Sequence, residues 1–403
     1  MENKQGWKVL IAASIFQLFL GVIYIWGIFV LPTSEAFGWD VEVVQLTSSF
    51  KIGFFVLGNF CGGKLQTKIC ASKVSMLGGI LLACGVFISA IMPPTLPVFF
   101  YISYGIICGF GSGMGYIVVI TAAQKWFPKM RGLATGICVG AFGLSVTLLA
   151  PVLSWLLRFN SVQTVFLIMS ATFLLASVLF GRLVKFPEES SDAIDSTLYA
   201  GEQLTPSQIL KRKEYYFLML SLLLVTVAFF VINPSVQTLS IDRGFDLEFA
   251  TTLLMITGIS NTLGRIIVPT VADRIGKEAT LLSLMVILAI AAATLTFATG
   301  SLFILMVVLI PACFGAGLAI IPLLAADYFG LKNFGSNYSA VGIGFAISAL
   351  FMPGLISLLG DYSARFIAVS VLSLCGILTT LALLLMVKRK SSKSSEMAFE
   401  EFK

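Results

Sequence analysis

The chain has 403 residues, of which 58% are hydrophobic and 11% are charged, and its formal net charge is +6. A soluble protein of this length could not bury so much apolar surface, so the composition excludes a soluble globular domain and indicates a chain that lies in lipid. The sequence contains no histidine, and its seven cysteines have neither zinc-site nor disulfide spacing, so no metal or other cofactor is expected.

Apolar runs divide the chain into membrane spans. A helix needs roughly 20 apolar residues to cross the hydrocarbon layer, and twelve such runs occur, six on each side of one long polar stretch. We predict an all-α membrane protein whose twelve transmembrane helices form two pseudo-symmetric six-helix bundles. The predicted parts are a first bundle (1–185), a linker (186–213), a second bundle (214–387) and a tail (388–403). The predicted spans are 8–31, 42–63, 73–92, 97–121, 132–157, 162–184, 214–237, 249–271, 279–299, 301–325, 334–359 and 363–387.

Basic residues predict the orientation of these spans. Most of the 26 Lys and Arg residues lie on the side that holds both termini and the central polar stretch, and only Arg158, Arg243 and Arg365 lie in loops on the other side. Because short cytoplasmic loops favour Lys and Arg, we expect an integral protein of the cell (inner) membrane with the termini, linker and tail in the cytoplasm. The net positive charge then reflects topology and not nucleic-acid binding.

The second span contains Lys51, one of two basic residues that lie inside the predicted spans and away from the span ends. Counted from Gly63, it lies about 18 Å along the helix from the inner end of the span. Two interpretations stay open at this point. The lysine extends to the outer headgroups, or it provides a second anion contact or an attractive field in a central cavity.

The seventh span contains Asn233-Pro234 near its outer end. Proline removes a backbone hydrogen bond from a helix, so we predict a kink or an unwound tip here. The pair is a candidate outer gate, and a plain kink is the alternative.

The eighth span contains the second basic residue, Arg265, in the stretch TLGRIIVPTVADRIGKE. It lies about 12 Å of helix before Asp273, which belongs to the following charged turn. An unpaired arginine at membrane depth costs at least ~2.5–3.5 kcal/mol, so such a residue usually faces a partner or a cavity. Snorkelling to the headgroups is the alternative.

No carboxylate lies inside the predicted spans to neutralise Arg265, because all 20 Asp and Glu residues lie in loops, tails or span ends. We therefore interpret the missing anion as a ligand. A guanidinium group holds a carboxylate through two charge-assisted hydrogen bonds, so a carboxylate is the favoured chemistry.

The two halves of the chain repeat each other. GGKLQTKICASK follows the second span and VPTVADRIGK follows the eighth, while KWFPKMRG follows the fourth and DYFGLKNFG follows the tenth. Parallel duplication of six spans is typical of transporters, whose binding site lies near the midplane where the halves meet.

Five stretches add a more specific likeness. They are QLFLGVIYIWGIFVLPTSEAFGWD in span one, GFGSGMGYIVV in span four, KWFPKMRGLATGICVGAFG before span five, LTPSQILKRKEYYF before span seven and DYFGLKNFGSNYSAVGIG before span eleven. With them the chain resembles the major facilitator superfamily, and within it the oxalate:formate antiporter family and the related monocarboxylate transporters. The family's cytoplasmic turn pattern survives in part as Asp273-Arg274, whereas Thr67 takes the aspartate position in the first half.

This resemblance implies a carrier that rocks its two halves around a central site. In both related families a span-eight arginine binds the carboxylate, which implies that role for Arg265. Tyr24 and Tyr116 match positions that line the cavity. Asn261 lies four residues before Arg265 on the same helix face, where many proton-coupled carriers have an aspartate. Because an amide does not titrate, anion exchange or uniport is expected, with proton symport as the alternative.

The resemblance also concerns the size and charge of the anion. Oxalate carriers have a second cation in span eleven at the position of Phe345, so a monocarboxylate such as lactate, pyruvate, formate or acetate is favoured here. Exchange of oxalate or another dicarboxylate for formate stays open if Lys51 supplies the second charge. The expected partners are this small organic anion and the lipid bilayer, with no nucleic acid and with a monomer as the functional unit.

Other classes of function have less support in the sequence. No GxxxxGK[ST] stretch for ATP occurs, and no histidine is present to activate a Ser or Cys nucleophile, so the chain is not expected to be an enzyme. A membrane sensor that binds the anion without moving it is the alternative from another class.

Overall fold

A computed structural model describes residues 2–93, 97–187 and 202–400. Twelve helices in these residues are long and apolar enough to cross a membrane, which confirms the predicted number. They are α1 (Lys4–Ile25), α2 (Val41–Leu65), α3 (Ala71–Ile91), α4 (Pro97–Trp126), α5 (Arg131–Phe159), α6 (Val162–Leu183), α7 (Lys213–Asp242), α8 (Leu247–Ile275), α9 (Lys277–Thr294), α10 (Gly300–Phe329), α11 (Phe334–Ser357) and α12 (Tyr362–Val387).

Each half contains one span that is buried more deeply than the others. In the first half α4 packs against α2 and α3, and in the second half α10 packs against α8 and α9. The two halves meet where α5 crosses α8 and where α2 crosses α11. Small residues make the first crossing close, because Gly136 of α5 lies against the backbone carbonyl of Arg265 and Gly140 lies against the Ile266 side chain.

Two spans are irregular. In α1 the last turn, Gly21–Ile25, is a 3₁₀ helix, and a separate helix, Gly27–Phe37, follows it. A Cβ on Gly21 would lie 2.2 Å from the carbonyl oxygen of Phe142, so this close approach of α1 to α5 requires glycine. In α7 a 3₁₀ turn, Asn233–Ser235, separates Lys213–Ile232 from Val236–Asp242. The predicted kink at Asn233-Pro234 is confirmed.

The connection between the halves is attached to the second half. Of the predicted linker 186–213, residues 188–201 lie outside the described residues. The Leu204 N–H donates to the Phe329 carbonyl, and the Leu204 carbonyl accepts from the side-chain amides of Asn333 and Asn337. The last helix runs as one element, Tyr362–Glu400, into the predicted tail 388–403, a stretch without Gly or Pro to stop it. The final three residues of that tail also lie outside the described residues.

An even number of spans brings both termini to one end of the molecule, which we call the termini end. Here the halves are in contact through polar groups. The Asp273 carboxylate at the end of α8 accepts a hydrogen bond from the Gly132 N–H at the start of α5, at 2.9 Å, and negative charge is favourable at a helix N-terminus. Asp327 of α10 forms ion pairs with Arg131 of α5, at 2.8 Å, and with Lys277. The termini end of the molecule is therefore closed.

Candidate functional site

Arg265 lies inside the protein, at the crossing of α8 with α5. Its exposed fraction is 0%. Its Nε donates to Asn261 Oδ1 at 2.9 Å on its own helix, and its Nη1 donates to the Val139 carbonyl at 3.0 Å on α5 of the other half. Nη2 is buried and has no hydrogen-bond partner. The side chain does not snorkel to a membrane surface, and one of the two terminal NH₂ groups of its guanidinium has no hydrogen-bond partner.

Two glycines make room for this guanidinium group. A Cβ on Gly143 of α5 would lie 3.0 Å from Nε and 3.1 Å from Cζ of Arg265. A Cβ on Gly315 of α10 would lie 2.7 Å from Asn261 Oδ1 and 3.0 Å from Arg265 Cγ. Both positions touch the arginine or its amide partner, so a larger residue at either one would move the charged group.

Aromatic rings cover the guanidinium. Its Cζ lies 5.7 Å from the centre of the Tyr24 ring and 5.8 Å from that of the Phe314 ring, within the range of cation–π attraction. Such contacts stabilise the buried charge without neutralising it. Among the described residues, Arg265 has no ion pair with Asp or Glu.

An outer chamber of about 320 Å³ lies beside this group, on the side away from the termini end. It is bounded by Tyr24 of α1 and by Asn261 and Phe314, next to the arginine, and it continues toward Asn233 at the break in α7. Its walls come from both halves of the molecule. The chamber is large enough for a small organic molecule and several waters.

An inner space of about 30 Å³ lies on the other side of Tyr24, which borders both. Its polar lining includes Asn59, Tyr116, Tyr338 and Ser339, and its apolar lining includes Phe345. This volume has room for about one water molecule. Tyr24 therefore separates a roomy outer chamber from a nearly filled inner space.

The tyrosine hydroxyls connect the two halves at this depth. The side chains of Tyr116 of α4 and Tyr338 of α11 interact with each other, and both lie near Arg265 and Tyr24. Phe142 packs edge-on against Tyr24 and Tyr116, with ring centres 5.4 and 4.9 Å apart. The Arg265 guanidinium thus lies near an aromatic wall that carries the hydroxyls of Tyr24, Tyr116 and Tyr338.

Lys51 lies elsewhere. Its exposed fraction is 2%, and its Nζ is buried without a hydrogen-bond partner, 4.6 Å from the centre of the Tyr104 ring and 5.3 Å from that of Trp26. These rings belong to the first half. The ammonium group contacts these rings, whereas the guanidinium of Arg265 contacts Tyr24, Asn261 and Phe314 of the chamber wall. The buried lysine does not extend to the outer headgroups. A contribution of its charge to anion binding stays a prediction.

The remaining predicted residues fall in two places. The chamber or the inner space is lined by Tyr24, Tyr116, Asn261 and Phe345, and Arg265 contacts Tyr24 and Asn261. Asn233 borders the outer end of the chamber, and Pro234 belongs to the same 3₁₀ turn. Asp273 lies at the termini end, where it joins the halves, and Arg274 is exposed there. The roles of all these residues in binding or gating stay predictions.

Sequence reasoning missed three contributors. Asn59 is a polar residue in the middle of α2, and its Oδ1 is buried without a partner, so its mid-span position was an available signal. Val139 contributes only its carbonyl, and Gly143 contributes only the absence of a side chain. No sequence signal distinguishes these two from other small or apolar residues of a span.

No group of three or more Cys, Asp or Glu residues within metal-binding reach occurs in the part of the chain that the structure describes. The site offers one cation, amides, hydroxyls and aromatic rings. Such a set can hold and orient a small anion.

Comparison with known proteins gives a consistent result. The family model of the Major Facilitator Superfamily matches residues 11–336. The chain is 26% identical to monocarboxylate transporter 13 of Rattus norvegicus, over 92% of this chain and 87% of that protein. It is 24% identical to the oxalate:formate antiporter of Oxalobacter formigenes, over 87% of this chain and 84% of that protein.

A solved transporter has the same fold. The crystal structure of FucP, a Major Facilitator Superfamily transporter in the outward conformation, superposes with a TM-score of 0.72 at 16% identity. The match covers 93% of this chain and 97% of FucP. At this identity the likeness concerns the arrangement of the helices alone.

Proposed function

The chain belongs to the Major Facilitator Superfamily, and from this premise we propose that it is a secondary transporter of small monocarboxylate anions. An integral membrane protein of this family carries a small molecule across a lipid bilayer. The proposal concerns which molecule is carried and how its movement is coupled.

The free edge of Arg265 is the observation that carries this proposal. Nη2 is a buried donor without a partner, on a side chain that contacts Tyr24, Asn261 and Phe314 of the chamber wall. The charge of the group has no carboxylate partner among the described residues. A buried unpaired charge is costly, and an anion entering the chamber removes that cost. A carboxylate fits because its two oxygens match the spacing of guanidinium donors.

Three features of the site favour an anion with a single carboxylate and a small body. Among the described residues, Arg265 is the one cation whose charged group contacts the chamber wall, because Lys51 is enclosed between rings of the first half. Phe345 borders the inner space as an apolar wall. Tyr24, Tyr116 and Tyr338 add hydroxyls that orient a small polar substituent. The two relatives are named as a monocarboxylate transporter and an oxalate:formate antiporter, and both names refer to small carboxylates.

The coupling we propose is exchange of one anion for another. Asn261 next to Arg265 cannot carry a proton, and no Asp or Glu borders the chamber or the inner space. With the termini in the cytoplasm, as the basic residues predict, the chamber faces the outside and the closed termini end faces the cytoplasm. The halves would then rock about the site to present it to either side.

A transport assay with reconstituted protein tests this function. Uptake of a labelled monocarboxylate such as lactate into proteoliposomes is measured while unlabelled formate, acetate, pyruvate or oxalate competes. We expect saturable uptake, strong competition by the monocarboxylates and weak competition by oxalate. Liposomes loaded with unlabelled anion should take up label faster than empty ones, while a pH step across empty liposomes should add little.

Other outcomes would contradict the proposal in distinct ways. Strong inhibition by oxalate alone would indicate a dicarboxylate carrier with a second cation that faces the site during transport. Uptake driven by the pH step alone would indicate proton symport. Saturable binding without any flux would indicate an anion sensor.

A further inference from the structure

The Arg265 side chain is a hydrogen bond between the two halves as well as a candidate anion site. Its Cα belongs to α8 of the second half, and its Nη1 donates to the Val139 carbonyl in α5 of the first half. The α5–α8 crossing is one of the places where the halves meet. Because rocking moves the halves relative to each other, this cross-half hydrogen bond has to break when the termini end opens.

Gly143 is what makes this hydrogen bond geometrically accessible. In an α helix the carbonyl of residue 139 points toward residue 143, whose N–H it accepts. A side chain at position 143 would stand beside that carbonyl and block a second donor from outside the helix. With a Cβ there, Nε and Cζ of Arg265 would be 3.0 and 3.1 Å from it, a tight contact that the guanidinium relieves by moving a few tenths of an ångström.

The free donor Nη2 and the bound donor Nη1 belong to the same planar fork. Nη2 is the donor that a carboxylate can engage without breaking a hydrogen bond. A two-pronged grip pairs Nη2 with Nη1, which is bonded to Val139, or with Nε, which is bonded to Asn261. Because an ionised oxygen is a stronger acceptor than the neutral Val139 carbonyl, a grip through Nη1 and Nη2 competes with the hydrogen bond between the halves.

We propose that Val139 and Gly143 are positioning residues that hold Arg265 across the halves in the empty carrier, and that the carboxylate releases this hold. The idea rests on the proposed function. It gives a physical reason for exchange: the empty carrier keeps the cross-half hydrogen bond and stays closed at the termini end, whereas the loaded carrier lacks it and rocks. Asp273 and Arg131 also hold that end, but they lie outside the chamber and do not sense the anion.

The first measurement compares exchange with net movement in the unaltered protein. Proteoliposomes loaded with labelled lactate are diluted into medium with or without unlabelled lactate, and the rates of label efflux are measured. We expect efflux to be roughly tenfold or more faster with external lactate, the size expected when a hydrogen bond to a charged group must break unaided.

The second measurement uses a matched pair of variants on α5. Gly143→Ala adds a methyl group against the guanidinium and should move it off the Val139 carbonyl, so net efflux should rise toward the exchange rate. Gly140→Ala adds the same methyl group to the same helix. Its Cβ would lie 2.8 Å from Ile266 Cγ1, so it crowds the same crossing of α5 with α8 without a contact to the guanidinium. The ratio of exchange to net efflux should then stay as in the unaltered protein.

A second route to the same effect covers the case in which Gly143→Ala does not fold. Asn261→Asp places a carboxylate on the helix of Arg265 itself, at the acceptor position 2.9 Å from Nε. The charge of Arg265 is then neutralised within the second half. The hydrogen bond to the Val139 carbonyl should weaken, and the ratio of exchange to net efflux should again fall. The apparent affinity for lactate should fall as well, since the new carboxylate competes with it.

The outcomes separate this inference from the proposed function. Transport with equal exchange and net efflux in the unaltered protein would overturn the inference and leave the function intact. The same holds if Gly143→Ala and Gly140→Ala change the ratio equally, or if a folded Asn261→Asp protein keeps the full ratio. Absence of any lactate flux in the unaltered protein would instead refute the function.

Discussion

Arg265 and Lys51 are both basic, both lie in the middle of a span, and both are almost completely buried, with exposed fractions of 0% and 2%. Neither has an ion pair with a carboxylate among the described residues. Their surroundings differ. Arg265 lies between the halves, beside a chamber and in contact with two polar acceptors, while Lys51 lies within the first half against the rings of Trp26 and Tyr104.

Burial of a charge does not by itself identify a functional residue. Aromatic faces attract a cation but leave its donors unused, so Lys51 is tolerated in a closed place without access for a ligand. Arg265 combines a free donor with an adjoining chamber and a moving interface. The position of a charge relative to the interface between the halves separates the two cases.

The largest expected effect comes from Arg265→Lys. An ammonium group keeps the charge but does not reproduce the two-pronged grip, so uptake of lactate should fall by roughly 100-fold or more, since two charge-assisted hydrogen bonds are weakened. Initial rates of uptake into proteoliposomes measure this. Arg243→Lys is the control, because Arg243 donates to the carbonyls of Ala298 and Leu295 away from the chamber. Equal loss in both variants would mean that Arg265 has no special part in binding.

A smaller effect is expected from Tyr338→Phe, which removes one hydroxyl from the wall that faces Arg265. The KM for lactate should rise by about fivefold, the size of one lost neutral hydrogen bond. Tyr215→Phe is a matched control, since Tyr215 Oη donates to the Ala340 carbonyl on α11 outside the chamber and the inner space. An unchanged KM in Tyr338→Phe would remove the hydroxyl wall from the binding site.

Asp273→Asn tests the contact between α8 and α5 at the termini end, the same pair of helices that Arg265 connects. The neutral amide is a weaker partner for the Gly132 N–H at the start of α5, by about 1 kcal/mol. Hydrogen–deuterium exchange of the first amides of α5 should become about fivefold faster, in line with that loss. Asp361→Asn removes a similar carboxylate from the Ala364 N–H within the second half, and it should leave α5 unaffected. Unaltered exchange at α5 would mean that Asp273 does not hold the halves together.

The smallest effect is expected from Lys51→Met. Because Lys51 does not border the chamber, the KM for lactate should change by less than about twofold, and the melting temperature should stay equal or rise, since a buried charge without a hydrogen-bond partner is exchanged for an apolar chain of similar length. Transport kinetics and thermal unfolding in detergent measure the two quantities. A large rise in KM would bring Lys51 back into the binding site and remove the contrast with Arg265.

The sequence predicts the fold because the physical constraint is simple. A lipid environment requires about 20 apolar residues per span, so the apolar runs of the sequence predict twelve spans. Their number agrees with the structure. The break at Asn233-Pro234 follows from the missing proline N–H. The first predicted span, 8–31, contains a break that the sequence does not reveal, because the 3₁₀ turn Gly21–Ile25, followed by the helix Gly27–Phe37, lies at the close approach to α5.

The site is only partly readable in the same way. Arg265 stands out because an unpaired cation in a span needs a reason, and Asn261 follows from helical spacing. The rotation of α2 decides where Lys51 points, and tertiary packing sets that rotation. The Val139 carbonyl and the missing side chain of Gly143 gain meaning only when α5 and α8 are in contact, so no pattern along the chain reports them.

The attachment of Leu204 has a mechanical consequence. Its carbonyl is held by Asn337, the residue directly before Tyr338, which borders the inner space. Tension along the connection between the halves therefore reaches the wall of that space within one residue. Shortening this connection, or joining another protein to it, would alter the speed of the carrier while every group near the cargo stays chemically the same.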